Sequence, residues 1–245
     1  MNEQHYLTPL FEPRSVAIIG ATEREHSLGN VLVRNMLEAG FKGKLFAVNP
    51  KYDQVFGVPC YKSVEDIPQR LDLVVITTKA DRVPAIVDAC GRAGTKAAVV
   101  IPSGFADAGP RGKMLEKNTV ENARRHRIRL LGPNCLGVLR PELGLNASFA
   151  RGGAIKGSIG LISQSGALCS AILDWARPNN VGFSSVISLG TSVDVDFGEA
   201  LEYMVSDSRT ESIFLYVEGI KDARRFVSAL RAAARVKPVL LIKVG

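Results

Sequence analysis

The sequence has no apolar run approaching the roughly 20 residues that a bilayer-spanning helix requires. Its first residues, Met1-Asn2-Glu3-Gln4-His5, carry no basic stretch ahead of an apolar core. Neither membrane insertion nor a secretory leader is therefore indicated. The four cysteines, Cys60, Cys90, Cys135 and Cys169, stand far apart, with no CxxC pair and no cysteine–histidine cluster. That argues against a zinc site and a disulfide framework and fits a reducing cytoplasm, so no metal is expected. Aromatic residues make up 7 % of the chain and do not interleave its basic residues, and no zinc-finger or RNA-recognition pattern occurs. The net charge of +7 consequently does not point to nucleic acid. Its densest basic run, Arg124-Arg125-His126-Arg127-Ile128-Arg129, falls where a predicted helix ends, a place that favours cations. A small polyphosphate ligand is the better use for that charge.

What is present reads as folded α/β protein. The hydrophobic fraction of 46 % and the charged fraction of 22 % are globular values. At roughly 150 residues per domain, 245 residues suggest two modest cores. Short β-branched runs alternate with segments of helical period, the pattern of βαβ units and parallel sheets. Strands are predicted at 15–19, 44–48, 71–77, 97–101 and 129–131, with helices over 30–39, 82–93 and 111–126. From Arg140-Pro141 to Gly152-Gly153 the sequence is rich in turn formers, and a linker is expected there, dividing residues 1–148 from 149–245. Beyond it strands are predicted at 158–162, 184–187, 212–217 and 239–243, with helices over 167–176, 197–206 and 222–235. Because the last strand is not followed by a helix, the second domain reads as interrupted.

Gly20 to Gly29 forms a glycine-bounded loop after the first strand, where an open parallel sheet binds phosphate at a helix N-terminus. It is not GxGxxG: the two glycines are nine residues apart, which suits a bulkier phosphate-bearing ligand. After the second strand stands Asn49-Pro50-Lys51, where an NAD site would carry an acid for the ribose. A cation there favours an extra phosphate, as on NADP or the 3′-phosphate of coenzyme A, although position alone reads equally as a surface lysine.

Six segments then occur in order: Ser15-Val16-Ala17-Ile18-Ile19-Gly20-Ala21-Thr22, Val48-Asn49-Pro50-Lys51, Ser103-Gly104-Phe105, Gly132-Pro133-Asn134-Cys135-Leu136-Gly137, Ser163-Gln164-Ser165-Gly166-Ala167-Leu168 and Leu215-Tyr216-Val217-Glu218-Gly219-Ile220. Together they resemble the NDP-forming acyl-CoA synthetases, relatives of the succinyl-CoA synthetase alpha subunit. The resemblance implies a Rossmann-like CoA-binding domain followed by a flavodoxin-like ligase domain. It implies that Gly20, Ala21, Thr22, Ser27 and Lys51 hold coenzyme A or acyl-CoA, with Thr78, Ala80 and the Ser103-Gly104-Phe105 turn beside it. Asn134 and Cys135 would lie near the thiol end. The chain departs from the usual family pattern at Lys79, where a proline is common.

In the second domain the resemblance implies that the backbone of Ser165, Gly166 and Ala167 receives the phosphate of a phosphohistidine. Several amides must act together, each dipole contributing about 0.3–2 kcal/mol; a plain serine N-cap is the structural alternative. Glu218 would orient the histidine. Asp194 and Asp196 either line that site or start a helix. The three histidines, His5, His26 and His126, stand in none of the family's phosphorylated contexts, so the nucleophile is expected a few positions beyond Gly245. ADP, ATP and Mg would enter only through an ATP-grasp domain or subunit that this sequence does not contain, and self-association into a homo-oligomer is compatible with the resemblance. The predicted function is the CoA-binding front of an acetate–CoA ligase of the ADP-forming type, incomplete alone. The alternative is the regulatory region of a protein lysine acetyltransferase, which Asn146-Ala147-Ser148-Phe149, Ile172-Leu173-Asp174-Trp175-Ala176 and Asp222-Ala223-Arg224-Arg225-Phe226-Val227-Ser228 also resemble. An NAD(P) oxidoreductase is argued against by the missing strand-two acid and the long first loop.

Overall fold

The computed structural model describes residues 5–244. Met1–Gln4, part of the N-terminal reading, and Gly245, the last residue, lie outside the described residues. The first half runs α1 (Thr8–Phe11), β1 (Ser15–Ile19), α2 (Leu28–Glu38), β2 (Lys44–Val48), β3 (Gln54–Val55), β4 (Val58–Tyr61), β5 (Leu73–Ile76), α3 (Val83–Arg92), β6 (Ala97–Val100), α4 (Pro110–His126) and β7 (Arg129–Leu131). It continues through β8 (Gly137–Arg140), β9 (Leu145–Ser148), β10 (Lys156–Ser163), α5 (Gly166–Ala176), β11 (Phe183–Ser188), α6 (Phe197–Ser206), β12 (Ser212–Val217), α7 (Ala223–Ala234) and β13 (Val239–Lys243).

Local chemistry sets these boundaries. The apolar run of β1 is buried at every position, as a central parallel strand covered on both faces must be. Ser27, Ser165, Asp196 and Asp222 cap α2, α5, α6 and α7 with side-chain oxygens, each satisfying an amide that the first turn leaves unpaired. The basic run ends α4 as expected: Arg124, Arg125 and His126 occupy its last turn, and Arg127 stops it in the left-handed region.

Two sheets result. The first has the order β3-β4-β2-β1-β5-β6-β7, and the second β13-β12-β10-β11-β8-β9. In the first, β1 pairs in parallel with β2 on one side and β5 on the other. In the second, β10 pairs in parallel with β11 and β12. Each sheet thus reverses its winding beside its first parallel strand, which opens a crevice at the strand ends.

The stretch read as a linker is instead ordered. β8 and β9 form an antiparallel hairpin whose β8 joins β11, and all residues of both strands are buried. Sheet membership therefore changes between Leu131 and Gly137, ahead of the expected division at 148/149. Two four-residue strands around a Pro141–Gly144 turn are too short to show a period. Also unforeseen, α2 is tied to the end of this hairpin: the Asn35 amide donates to the carbonyls of Ser148 (2.7 Å) and Ala150 (2.9 Å).

A charged clasp joins the sheets at the other side. Arg129 of β7 donates to Asp194 (2.9 Å) and to Glu199 of α6 (2.7 Å), and Arg225 of α7 reaches Glu199 at 3.0 Å. Asp194 also accepts the Leu130 amide at 2.8 Å. The acidic pair is thereby assigned, Asp194 to the clasp and Asp196 to the start of α6. Burial alone would push the Glu199 carboxyl up, but the hydrogen bonds and charge of Arg129, then of Arg225, hold it below the usual carboxylate range. A carboxyl depressed by folding stabilises the protein above its unfolded pKa of about 4.3, and that contribution is lost as pH falls through the lower folded value. Glu199→Gln is expected to cost about 1.5–3 kcal/mol at neutral pH. Wild type and variant should converge as pH drops below about 4 in denaturant titrations; a pH-independent difference would refute this assignment.

Among the described residues no helix is long and apolar enough to cross a membrane, and no group of three or more His, Cys, Asp or Glu is placed to hold a metal ion.

Candidate functional site

The β1–β2–β5 crevice holds a cavity of about 730 Å³. Its floor is apolar, with Ile19, Val48, Val64, Ile86 and Ala89, and its rim carries Arg24, Lys51, Lys62 and Arg82 against a single acid, Asp81. Four cations around an apolar floor suit a ligand with a flat hydrophobic part and several phosphates. Thr78 also lines the cavity, and its hydroxyl oxygen is buried with no hydrogen-bond partner. An orphaned buried hydroxyl costs free energy unless something bonds it, so a ligand hydrogen bond fits there.

The loop from Gly20 to Gly29 is built to stay open. Gly20 has φ +92°, and a Cβ there would come within 2.6 Å of the Thr77 hydroxyl, so only glycine lets the chain turn away from β1. Thr22 meets the Tyr52 hydroxyl at 3.1 Å and accepts the Arg24 amide at 3.2 Å. The Asn49 side chain donates to the Ala21 carbonyl at 2.8 Å and accepts the Lys51 amide at 3.0 Å, locking the ends of β1 and β2 together.

Of the residues expected to hold the coenzyme, Gly20, Thr22, Lys51 and Thr78 line this cavity. The others do not. Ala21 is fully buried. Ser27 caps α2, its hydroxyl donating to the Arg24 carbonyl at 2.7 Å. Ala80 lies against the neighbouring turn, 3.4 Å from where a Cβ on Gly104 would be. Ser103 is exposed, Phe105 is buried in the core beneath the turn, and the Gly104 and Phe105 amides are taken by Asp107 at 3.4 and 2.8 Å. Cys135 is turned inward, its thiol 3.4 Å from the Val100 carbonyl and pushed up to about 12 by burial. Arg24, Lys62 and Arg82 were not anticipated; isolated surface cations carry no local signal, and only the fold brings them together.

The second crevice lies at the ends of β10 and β12, paired through Ser163 and Tyr216. Ser165 leaves β10 and caps α5, accepting the Leu168 amide at 3.2 Å. Gly166 and Ala167 open that helix, and Glu218 is exposed just after β12. The structure therefore does bring Ser165, Gly166, Ala167 and Glu218 to one sheet end. Between the two crevices runs the 132–136 loop, with exposed Asn134 at its tip. The Asn134 amide donates to Pro102 (3.0 Å) in the first half, Leu136 donates to the Ser188 hydroxyl (2.9 Å) in the second, and Thr191 donates to the Pro133 carbonyl (2.9 Å).

Comparison with known proteins fits this two-crevice plan. The sequence matches the CoA binding domain family over residues 14–141 and the succinyl-CoA ligase like flavodoxin domain over 156–245. It is 44 % identical over 236 residues to acetate–CoA ligase [ADP-forming] I of Archaeoglobus fulgidus, covering 96 % of this chain and 34 % of that protein. It is 39 % identical to the alpha subunit of acetate–CoA ligase [ADP-forming] I of Pyrococcus furiosus, covering 98 % of this chain and 53 % of the subunit. Among solved structures, the dinucleotide forming acetyl-coenzyme A synthetase 1 of Ca. Korarchaeum cryptofilum in complex with phosphate and ADP superimposes with a TM-score of 0.94 at 38 % identity, over 98 % of this chain and 52 % of that one. The chain spans between a third and about half of these relatives. With a Rossmann-like cleft followed by a flavodoxin-like sheet, it belongs to the CoA-binding domain family and continues into a succinyl-CoA ligase like domain.

Proposed function

We propose that this chain is the CoA-binding and phosphate-handling portion of a cytoplasmic, ADP-forming acyl-CoA synthetase. The complete enzyme would convert acyl-CoA, ADP and phosphate into free acid, CoA and ATP. The observation that carries the reading is the cavity ringed by Arg24, Lys51, Lys62 and Arg82 at the ends of β1 and β2. Its apolar floor suits the adenine and its rim the phosphates, with Lys51 beside the 3′-phosphate and Thr78 supplying a hydrogen bond. The pantetheine arm would run past Ala80, Ser103 and Gly104 toward Asn134, which places the thioester near the start of α5. There the amides of Gly166 and Ala167 would receive phosphate, and Glu218 would orient the imidazole that carries it.

The histidines of this sequence do not serve that role. His26 stands in the first loop at φ +58°, and His126 is bonded to Asp88 at 2.8 Å. The phosphorylated histidine and an ATP-grasp domain or subunit, with its nucleotide and Mg, would come from outside this sequence.

Titrating CoA while following the melting temperature tests the first half of the reading. At about 100 times its Kd, a ligand adds roughly 2.7 kcal/mol, or about 5–11 °C for a chain of this size. Lys51→Ala is expected to weaken CoA about tenfold, one charge-assisted contact, while leaving dephospho-CoA, which lacks the 3′-phosphate, unchanged. A shift with NADP and none with CoA would replace this reading by a dinucleotide site.

A further inference from the structure

The last residue of β10, Ser163, and the two residues between it and α5, Gln164 and Ser165, each hold a different piece of the second crevice. The buried Ser163 hydroxyl donates to the Ser165 carbonyl and accepts the Ser165 amide, both at 3.0 Å, fixing the bend into the helix. Ser165 caps the helix. Gln164 reaches across the sheet end instead. Its Oε1 accepts from the backbone amides of Glu218 (2.7 Å) and Gly219 (2.9 Å), and its Nε2 donates to the Gly219 carbonyl (2.9 Å). These partners determine which end of the carboxamide is which, because the reverse orientation would set an NH2 group against two N–H donors.

The far end of this turn is held by Lys221, whose Nζ donates to the carbonyls of Thr191 (2.9 Å) and Ser192 (3.1 Å), and its Glu218–Gly219 end has fewer ties. Residues 218–221 are exposed, and a Cβ on Gly219 would touch nothing within 4 Å. Lys243 Nζ also donates to the Glu218 carbonyl at 3.1 Å. A carboxylate on an exposed turn held by few contacts can wander, and an orienting group must not.

We propose that Gln164 is a positioning residue: its carboxamide brackets the Glu218–Gly219 backbone to the end of β10 and so holds the Glu218 carboxylate beside the start of α5. What Glu218 does there rests on the synthetase reading; the bracket itself does not. Loss of the bracket would leave the CoA cleft untouched, because none of these residues lines it.

Residue-resolved amide hydrogen exchange on this chain tests the bracket. Gln164→Ala should speed exchange at Glu218 and Gly219 by about tenfold, with the β12 amides and the CoA melting shift unchanged. Gln164→Glu keeps the acceptor for both amides but sets a second oxygen against the Gly219 carbonyl, so it should retain only part of the protection. Unchanged exchange in Gln164→Ala, or equal loss across β12, would overturn the proposal. In the full-length protein, Gln164→Ala should lower kcat for ATP formation with KM for acyl-CoA unchanged, and Gln164→Ala/Glu218→Ala should be no slower than Glu218→Ala alone. Additive losses would show that Gln164 acts apart from Glu218 and would also overturn it. A wild-type protein that forms no ATP would refute the synthetase reading, while the exchange result still decides whether Gln164 sets the turn.

Discussion

Asp207→Ala is expected to destabilise the protein by about 3–5 kcal/mol, the cost of stranding a buried charge. For a chain of this length that is a fall in melting temperature of about 6–20 °C. Arg140, in β8, is fully buried, and its guanidinium bonds Asp207 at 2.9 Å and the Tyr203 hydroxyl at 2.7 Å. Its nearest further anion is Glu12 at 3.7 Å, itself accepting from Tyr203 at 2.6 Å. Arg140 Nε has no partner, and Glu12, the anion left when Asp207 is removed, lies farther off and is already engaged by Tyr203 and Arg209. The group links the segment after α1, the β8–β9 hairpin and the end of α6, which is why its loss should be felt globally. Truncating the other partner as well should recover much of the loss: Arg140→Met/Asp207→Ala is expected to be more stable than Asp207→Ala, since the uncompensated charge is gone. Urea titrations of wild type, Asp207→Ala and Arg140→Met/Asp207→Ala decide it. A single-mutant loss below about 1 kcal/mol, the range of surface pairs, would contradict the burial argument.

The second large effect concerns Gly29→Ala, which should damage stability and ligand binding together. Gly29 is the second residue of α2, and a Cβ there would lie 2.1 Å from the Gly20 carbonyl oxygen and 3.2 Å from Ala21 Cα. The helix is seated directly on the turn leaving β1, so any side chain must lift it. Overpacking of this kind costs about 1–3 kcal/mol. Lifting α2 also moves Gly20, Thr22 and Arg24, which line the cleft, so the CoA-induced melting shift should largely disappear. Lys51→Ala is the contrasting variant: weaker CoA binding at unchanged stability, because Lys51 is exposed. A Gly29→Ala protein with wild-type melting temperature and CoA response would show that the helix has room to move, contrary to the close approach.

These expectations differ in how far they could be read without a structure. Gly20 and Gly29 were visible as a pair around a loop, but that the second exists to let a helix touch the first is a contact between backbones. Asp207 and Arg140 carried no signal at all, being 67 residues apart and individually ordinary.

The order and type of the longer elements were legible in the sequence itself, whereas the short α1, β3 and β4 and the β8–β9 hairpin were not. Apolar runs such as 15–19 and 212–217, helical periods such as 111–126, and caps such as Ser165 and Asp196 act over a few residues, so they are legible in one dimension. The phosphate-type loop after β1 and the cation at Lys51 belong to the same class, since strand ends fix where a crevice must open. Tertiary structure alone decided which sheet the 137–148 hairpin joins, that Arg24, Lys62 and Arg82 converge on Lys51, and that Cys135 and Phe105 face the core. It also decided that Asp194 belongs to a clasp and that Gln164 holds a turn 54 residues away. The physical reason is common to all of these: a side chain's direction and its distant partners depend on how separate elements pack, and no local propensity encodes that.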